Sequence, residues 1–258
     1  MIIDTHIHLY DDRYKDELNK IIEDAKLADV KKMLIVGYDY ESSLEAVKLA
    51  NDYEGFYAAV GIHPSEVGKP GNEDLGWIED LLKEPKVIAI GEIGLDYYWD
   101  KSYKDLQKEV FIKQIEIANK HNLPISIHSR SASNDTFEIL RDNPVRGVLH
   151  CYSQSLELGR EYVKLGYYLG IGGVLTFKNS KEIKDVVSEI DLKHMVVETD
   201  GPYLAPHPFR GKLNRPEYLS LVVEEIAKIK NMSVNDVKEI LEKNTFDLFG
   251  IWGVYEKN

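Results

Sequence analysis

The chain has 258 residues, of which 43% are hydrophobic and 29% are charged. This length suits one large domain or two small ones, and folding buries about 73% of the surface of the open chain, so a sizeable core forms without disulfide staples. The formal net charge of -12 argues against a surface that coats nucleic acid by bulk electrostatics, because phosphate binding needs clustered Lys and Arg side chains.

The sequence contains no obvious signal for a membrane or for export. No apolar run reaches the roughly 20 residues that a membrane span needs, and the first residues lack a basic and then apolar leader. Cys151 is the single cysteine and has no partner for an internal disulfide, which fits a reducing compartment but also many secreted enzymes. We therefore expect a soluble cytoplasmic protein with no membrane contact.

Short apolar or β-branched runs alternate with longer amphipathic stretches along the chain. The short runs predict strands near residues 1–4, 33–37, 56–61, 87–91, 124–128, 147–150, 168–172 and 195–198. The amphipathic stretches predict helices near residues 13–28, 42–53, 74–83, 104–121, 135–142, 155–165, 181–190, 215–230 and 233–249. The run at 87–91 is apolar throughout, as expected for a parallel strand that is covered on both faces.

Eight strand and helix pairs predict an α/β fold, a (β/α)8 TIM barrel. A doubly wound open sheet is the alternative, because periodicity alone does not separate the two. No repeat, low-complexity segment or Ser/Gly/Pro-rich linker interrupts the pattern, so we expect a single domain over residues 1–258. The irregular stretch 201–214 contains several Pro and Gly residues and is a candidate for part of a substrate rim.

Polar residues cluster at the carboxyl ends of the predicted strands, which form one face of a barrel and carry its active site. On an extended strand, His6 and His8 point to the same side with Cβ atoms about 6 to 7 Å apart, and two imidazoles can close this separation onto one cation. Other predicted strand ends add His, Glu or Asp. The resulting candidate metal ligands are His6, His8, Glu92, His128, His150 and Asp200.

These six side chains are more than one tetrahedral ion needs, so the set implies two divalent metal ions. Imidazole ligands suit Zn, Mn, Fe or Ni and carboxylates extend the choice to Mg, so the residues leave Mg, Mn and Zn open. Two metal ions can lower the pKa of a bound water and stabilise both the attacking and the leaving oxygen. No Ser or Cys nucleophile is then required.

The motifs, in their order and spacing, resemble the TatD-type deoxyribonucleases, metal-dependent hydrolases of the amidohydrolase superfamily. The resemblance covers nearly the whole chain. Its landmarks are Asp4-Thr5-His6-Ile7-His8, Gly61-Ile62-His63-Pro64, Gly91-Glu92-Ile93-Gly94-Leu95-Asp96-Tyr97, His128-Ser129-Arg130, His150-Cys151-Tyr152-Ser153, Glu198-Thr199-Asp200-Gly201-Pro202-Tyr203-Leu204 and Asn214-Arg215-Pro216. The chain departs from the family pattern at Ser131, Gln154 and Gly201, which bear on pocket shape and substrate preference.

The resemblance implies roles for the individual ligands. His6, His8 and Asp200 are expected to hold one ion, and His128 and His150 the other. Glu92 is expected to bridge the two ions. The implied reaction is hydrolysis of a phosphodiester by a metal-activated water, with Asp200 and Glu92 as the catalytic carboxylates. Asp200 is expected to orient the water and take its proton, and a purely ligating role is its alternative.

The same resemblance, with the ligand set, implies an exonuclease that acts on DNA ends, single-stranded or frayed. We expect no obligate protein partner, because a closed barrel needs none to finish its sheet. His63 and Arg130 are candidates for binding substrate phosphate. The alternative role of His63 is a loop-capping hydrogen bond, and that of Arg130 is an ion pair with a nearby carboxylate. Tyr97, Tyr152 and Tyr203 are candidates for stacking a terminal base, with core packing as the alternative role of all three, and Tyr203 is counted among the substrate-binding residues. Lys178, Arg210, Lys212 and Arg215 are candidates for a local basic rim, with solvated surface as their alternative role.

Two other functions stay open. The same site suits hydrolysis of an ester, an amide or a lactone, including the aminoacyl end of a tRNA. A barrel that binds metal without turnover is the third hypothesis.

Overall fold

Parallel strands alternate with helices in a computed structural model that describes residues 1–70, 72, 74–99 and 102–250. The strands are β1 (Ile2–Ile7), β2 (Val30–Val36), β3 (Phe56–Val60), β4 (Val87–Asp96), β5 (Ile125–Arg130), β6 (Gly147–Leu149), β7 (Tyr168–Ile171) and β8 (Met195–Val197). The helices are α1 (Leu18–Leu27), α2 (Tyr40–Asp52), α3 (Gly76–Leu81), α4 (Lys104–Lys120), α5 (Ser133–Asp142), α6 (Leu156–Lys164), α7 (Lys181–Glu189), α8 (Leu219–Lys230) and α9 (Val234–Phe249).

The sheet runs in the order β1 to β8 and closes where β1 meets the segment after β8. The backbone N–H of Asp200 donates to the carbonyl oxygen of His6 over 2.9 Å, and the N–H of His8 donates to the carbonyl oxygen of Gly201 over 2.8 Å. In a doubly wound sheet the first strand would lie inside the sheet, away from the last strand. The predicted (β/α)8 barrel is therefore confirmed, and the open sheet is excluded.

Two buried clusters alternate along the strands, as expected for side chains that point to opposite faces. Met33 and Ile35 of β2 belong to the cluster between strands and helices. Leu34 and Val36 belong to the cluster inside the barrel, which Phe246 of α9 also joins. The lower barrel is thus filled with apolar side chains and covered by α9, so the polar residues lie at the opposite, carboxyl end of the strands.

Strands β1, β4 and β5 extend further than the sequence pattern predicts. Strand β1 continues through His6, and β4 continues through Glu92 to Asp96. Strand β5 ends at Arg130, which pairs with Asp96. The prediction ended each strand where its apolar run ended, whereas parallel pairing continues past that point. The polar side chains of the site therefore lie on strands rather than only on loops.

Helix α2 begins two residues earlier than predicted. The Asp39 carboxylate accepts the N–H of Ser42 over 2.8 Å, and Ser42 Oγ accepts the N–H of Asp39 over 2.9 Å, which forms a capping box. Within the described residues, no helix is both long enough and apolar enough to cross a membrane. The predicted domain of residues 1–258 includes 251–258, which lie outside the described residues.

Helix α9 is held to the barrel by the buried side chain of Asn244, whose Nδ2 donates to the carbonyl oxygens of Leu192 (2.8 Å) and Met195 (2.7 Å). We expect Asn244→Ala to lower the free energy of unfolding by about 2 kcal/mol or more, because two buried carbonyls lose their donor. Lys243→Ala, at the exposed neighbouring position, should change it by less than about 0.5 kcal/mol. Urea denaturation of both variants checks this, and equal midpoints would contradict the role of Asn244.

Candidate metal centre

Glu92 of β4 lies in the middle of a buried cluster of histidines. Its Oε2 lies 3.4 Å from His6 Nε2 and 3.6 Å from His8 Nε2. Its Oε1 lies 2.8 Å from His128 Nδ1 and 3.0 Å from His150 Nε2. The two oxygens of one carboxylate thus face two separate pairs of imidazoles.

Asp200 lies beside the His6 and His8 pair, on the β1 side of Glu92. Its Oδ1 lies 3.8 Å from His8 Nε2 and 4.0 Å from His6 Nε2, and these two nitrogens are 3.3 Å apart. Asp200 has a φ of 55°, in the left-handed region that Asp tolerates better than most residues. The structure thus brings together the six side chains that the sequence predicts as metal ligands.

The orientation of His8 shows what its inward nitrogen offers. His8 Nδ1 lies 2.8 Å from the carbonyl oxygen of Val36, which is only an acceptor, so Nδ1 carries the hydrogen. Burial lowers the pKa of His8 to about 4, so the ring is neutral near pH 7. Nε2 therefore points a lone pair at His6 Nε2 and at the oxygens of Glu92 and Asp200. A set of lone pairs and carboxylate oxygens that converge in this way fits a bound cation.

On the other side of Glu92, the carboxylates raise the pKa of two histidines. Burial by itself lowers the pKa of His150, but Glu92 and Glu198 outweigh it and raise this pKa well above its usual value. Burial also opposes the charged form of His128, and hydrogen bonds to Asp96 and Glu92 raise its pKa. A divalent ion at this position would replace these protons, because ligating imidazoles are neutral.

Asp96 and Glu198 join the cluster although neither was among the predicted site residues. Asp96 Oδ2 lies 3.0 Å from His128 Nε2, and Glu198 Oε1 lies 3.4 Å from His150 Nδ1. Carboxylates that contact the second nitrogen of a ligating histidine orient the ring. Spacing could have found Asp96, since it is four residues after Glu92 on β4 and even spacings share one side of a strand. Glu198 follows β8 directly, in the same motif as Asp200.

Among the residues that the structure describes, three sets of side chains have potential ligand atoms within 4.8 Å of one another. They are His6 with His8 and Glu92, His6 with His150 and Glu198, and His63 with Glu92 and His128. Each set combines imidazole nitrogen with carboxylate oxygen, the donors that divalent transition metals accept.

Asp4 and Thr199 hold the two ends of the sheet together below the cluster. The Asp4 carboxylate accepts the backbone N–H of Thr199 over 2.9 Å and its hydroxyl over 2.6 Å. Burial raises the pKa of Asp4 to about 7, although the hydrogen bonds from Thr199 oppose this rise. Burial likewise raises the pKa of Asp200 to about 6, against the opposing effect of nearby histidines. The Asp4–Thr199 contact places Asp200 beside His6 and His8.

Two glutamines of α4 hold neighbouring parts of the site. Gln114 Oε1 accepts the N–H of Ile62 over 2.7 Å, and its Nε2 donates to the carbonyl oxygen of Ile62 over 3.1 Å. Gln107 makes the same pair of hydrogen bonds to the backbone of Asp96, at 3.0 and 3.1 Å. Since the residues are seven apart, they share one face of the helix. This face fixes Asp96 and the residue before His63.

The predicted substrate-binding residues lie around the cluster. His63 Nε2 lies 3.6 Å from Glu92 Oε1. Tyr203 is half exposed, with its ring centroid 6.5 Å from that of His8 and the Arg13 guanidinium 4.6 Å from its own. Arg130 is exposed at the end of β5 and forms no ion pair with any residue that the structure describes.

Several predicted contacts with nucleic acid are not available. Tyr97 and Tyr152 are buried, and their hydroxyls donate to Asp135 Oδ2 over 2.7 Å and to the Ser155 carbonyl over 2.6 Å, so they pack in the core. Arg215 is mostly buried in ion pairs with Glu17, Asp24 and Glu217. The other basic-rim candidates lie on two loops: Lys178 is exposed before α7, and after β8 Arg210 lies over Phe177 and Lys212 lies over Phe209.

A family model described as "TatD related DNase" matches residues 3–250. The chain belongs to this family. YabD of Bacillus subtilis, described as an uncharacterized metal-dependent hydrolase, is 45% identical over 254 residues, covering 97% of this chain and all of that protein. YcfH of Escherichia coli K12 has the same description and is 34% identical over 97% of this chain and 96% of its own length.

The TatD fold is also found among solved structures. The crystal structure of YjjV, a TatD homolog from Escherichia coli K12, superposes with a TM-score of 0.92 at 30% identity, covering 97% of this chain and 98% of that one. The resemblance to TatD-type enzymes and the barrel are both confirmed. The relatives support a family of metal-dependent hydrolases, and the roles of the individual residues in this TatD family member stay predictions.

The two hydrogen bonds of Gln114 predict a cost for its replacement. We expect Gln114→Met to lower the free energy of unfolding by about 2 kcal/mol, because the buried N–H and C=O of Ile62 lose their partner while the side-chain volume is kept. Lys113→Met, at the exposed neighbouring position on α4, is the control and should stay within about 0.5 kcal/mol of the unmodified protein. Guanidinium denaturation measures both, and two equal shifts would show that these hydrogen bonds do not stabilise the site.

Proposed function

We propose that this TatD family member is a divalent-metal-dependent deoxyribonuclease that removes nucleotides from the ends of single-stranded or frayed DNA. The observation that supports it best is the position of Glu92, whose two oxygens face His6 and His8 on one side and His128 and His150 on the other. This arrangement suits two ions that share one carboxylate. The family model's description as a DNase supports the choice of substrate.

In this proposal each side of Glu92 would hold one ion of Mg, Mn or Zn. His6, His8 and Asp200 would hold the first ion, and His128 and His150 the second. Such ions, when bound, would lower the pKa of a water molecule and offset the charge that develops on phosphate oxygens. Glu92, which the four imidazoles orient, would be shared by the two ions.

Asp200 is the proposed proton acceptor. Its Oδ1 lies within 4.0 Å of Nε2 of both His6 and His8, so it faces the space that the attacking water must enter. The backbone N–H of Asp200 is bound to the His6 carbonyl, so the carboxylate is held in place before substrate arrives. A carboxylate placed in this way takes the proton that the water loses on attack.

His63 suits a hydrogen-bond donor to the substrate better than a metal ligand. The N–H of Ser65 donates to His63 Nδ1 over 3.1 Å, so Nδ1 is the acceptor and Nε2 carries the hydrogen of the neutral ring. Burial lowers the pKa of His63 to about 3, so the ring is neutral. Its Nε2–H therefore faces the cluster and donates to a phosphate oxygen. Arg130 and Tyr203 are the other proposed substrate contacts, for phosphate and for a base.

A second candidate is hydrolysis of a small ester or amide, or of the aminoacyl bond of a tRNA, at the same site. The ion pairs of Arg215 with Glu17 and Glu217 favour this alternative, because they make one cation of the expected basic rim unavailable to a phosphate. A small neutral substrate would not need that rim.

End-labelled single-stranded DNA with Mg²⁺ or Mn²⁺ tests the main proposal. We expect stepwise shortening by the unmodified protein, and a rate roughly 10² to 10⁴ lower for Asp200→Asn, which keeps the shape of the side chain but does not accept the proton. Gel analysis of the product ladder gives the rate and the end attacked. No shortening by metal-loaded protein, together with turnover of ester or aminoacyl substrates, would overturn the nuclease in favour of the second candidate.

Calorimetric titration with Mn²⁺ tests the ligand assignment. We expect two ions per chain, and for Glu198→Gln an affinity roughly 10- to 100-fold weaker for the ion beside His150, because the carboxylate that faces His150 Nδ1 loses its charge. The other ion should bind as before. Glu161→Gln, an exposed change, is the control. A single ion in the unmodified protein, or an unchanged affinity in Glu198→Gln, would contradict the assignment.

A further inference from the structure

Two large aromatic side chains lie exposed directly after β4. Tyr98 is 55% exposed and Trp99 is 72% exposed, and their rings meet edge to face with centroids 4.8 Å apart. A single exposed aromatic residue needs no explanation, but adjacent exposed rings at the mouth of a site indicate a binding surface. Neither residue was a candidate from the sequence, where both merely extend the motif that ends at Tyr97.

Arg130 lies against both rings. Its guanidinium carbon is 4.0 Å from the centroid of Tyr98 and 5.3 Å from that of Trp99. Throughout the described part of the chain no carboxylate pairs with it, in contrast to Arg215, which pairs with Glu17, Asp24 and Glu217. Its charge is therefore held by ring faces and stays available to an anionic or aromatic ligand.

The three residues are tied to the metal centre through Asp96. The N–H of Tyr98 donates to Asp96 Oδ1 over 2.8 Å, and Asp96 Oδ2 lies 3.0 Å from His128 Nε2. The N–H of Tyr97 donates to the carbonyl oxygen of Arg130 over 2.9 Å. The exposed rings are thus fixed to the side of the cluster that β4 and β5 supply.

A cavity of about 650 Å³ begins at Arg130, within the range of volumes that small-molecule sites occupy. It is lined mainly by hydroxyl and amide side chains that follow β5 and β6, among them Ser131 and Ser153. Glu157 and Glu161 line it as well, which disfavours a second phosphate there. Such a lining suits the hydroxyls of a sugar and the polar edge of a base.

We propose that Tyr98, Trp99 and Arg130 form a platform on which one nucleobase of the substrate stacks, with its sugar directed into the adjoining cavity. This proposal rests on the proposed action on nucleic acid and names the part of the site that recognises it. Stacking accepts any base, since every base has a π face, so the platform selects nucleic acid over base-free phosphodiesters without reading a sequence.

The test compares two probes that carry the same backbone charge: a thymidine hexamer and a hexamer of abasic tetrahydrofuran phosphates. Binding is measured by fluorescence anisotropy in the Asp200→Asn background, so that no probe is cleaved. We expect the Asp200→Asn protein to bind the thymidine hexamer at least about tenfold more tightly than the abasic hexamer. The additional substitution Trp99→Ala should abolish this preference. Trp99→Phe should retain most of it, because phenylalanine still offers a ring face.

Tyr103→Ala is the matched control. Tyr103 is another exposed aromatic residue, at the start of α4, and its ring lies against Gly68 instead of Arg130. The Tyr103→Ala variant, in the Asp200→Asn background, should bind both probes with the same affinities as the Asp200→Asn parent. Tryptophan fluorescence gives an independent readout: the thymidine hexamer should quench the emission, and the quenching should be lost in Trp99→Phe.

The outcomes separate the platform from the proposed function. Equal affinity of the parent for both probes, or an unchanged preference in Trp99→Ala, overturns the platform even when the unmodified protein degrades DNA. A base-dependent preference that Trp99→Ala removes supports the platform even when the unmodified protein cleaves no DNA. In that case the phosphodiester reaction fails and a substrate with a nucleobase next to another bond, such as an aminoacyl ester, takes its place.

Discussion

The buried carboxylate of Glu92 is the contact on which the site depends, because a buried negative charge is costly unless cations or donors surround it. Burial by itself would raise the pKa of Glu92, but His150, His63 and His128 outweigh it and hold this pKa well below its usual range. The carboxylate is therefore charged, and the groups around it must supply positive charge. Glu92 and nearby carboxylates raise the pKa of His128 and His150 on one side, and on the other side His8 offers a lone pair to a cation.

The barrel makes this concentration of charge tolerable. Apolar residues such as Leu34 and Val36 fill its lower part, and Phe246 of α9 packs with them, so the strands are held by a core that the polar centre does not disturb. The seam between β1 and the segment after β8 is closed through Asp4 and Thr199. A site built on strands is held more precisely than a site built on loops.

The mouth of the site is more aromatic than basic. Arg13 lies over Tyr203 on the β1 side, where it also pairs with Asp11, and Arg130 lies over Tyr98 on the β4 side. A chain with a net charge of -12 repels a polyanion at long range, so local contacts must supply the attraction. Exposed ring faces, together with the arginines that pack on them, suit binding of the end of a DNA strand better than binding along a duplex.

The sequence by itself determined an α/β fold with eight strands, and it predicted the six side chains that the structure brings together. Eight apolar runs with helical patterns between them indicate parallel strands covered on both faces, and only the hydrogen bonds between β1 and the segment after β8 distinguished the barrel from a doubly wound sheet. His6 and His8 follow from strand periodicity, and Glu92, His128, His150 and Asp200 follow from their place at strand ends.

Only the tertiary structure decided which nitrogen of His8 faces the centre, because the tautomer depends on a partner distant in the sequence, the carbonyl oxygen of Val36. It also separated exposed from buried aromatic residues: Tyr97 turns into the core, while Tyr98 and Trp99 turn outward. Adjacent residues of one motif have the same local pattern, and their exposure is set by what packs against each of them in three dimensions.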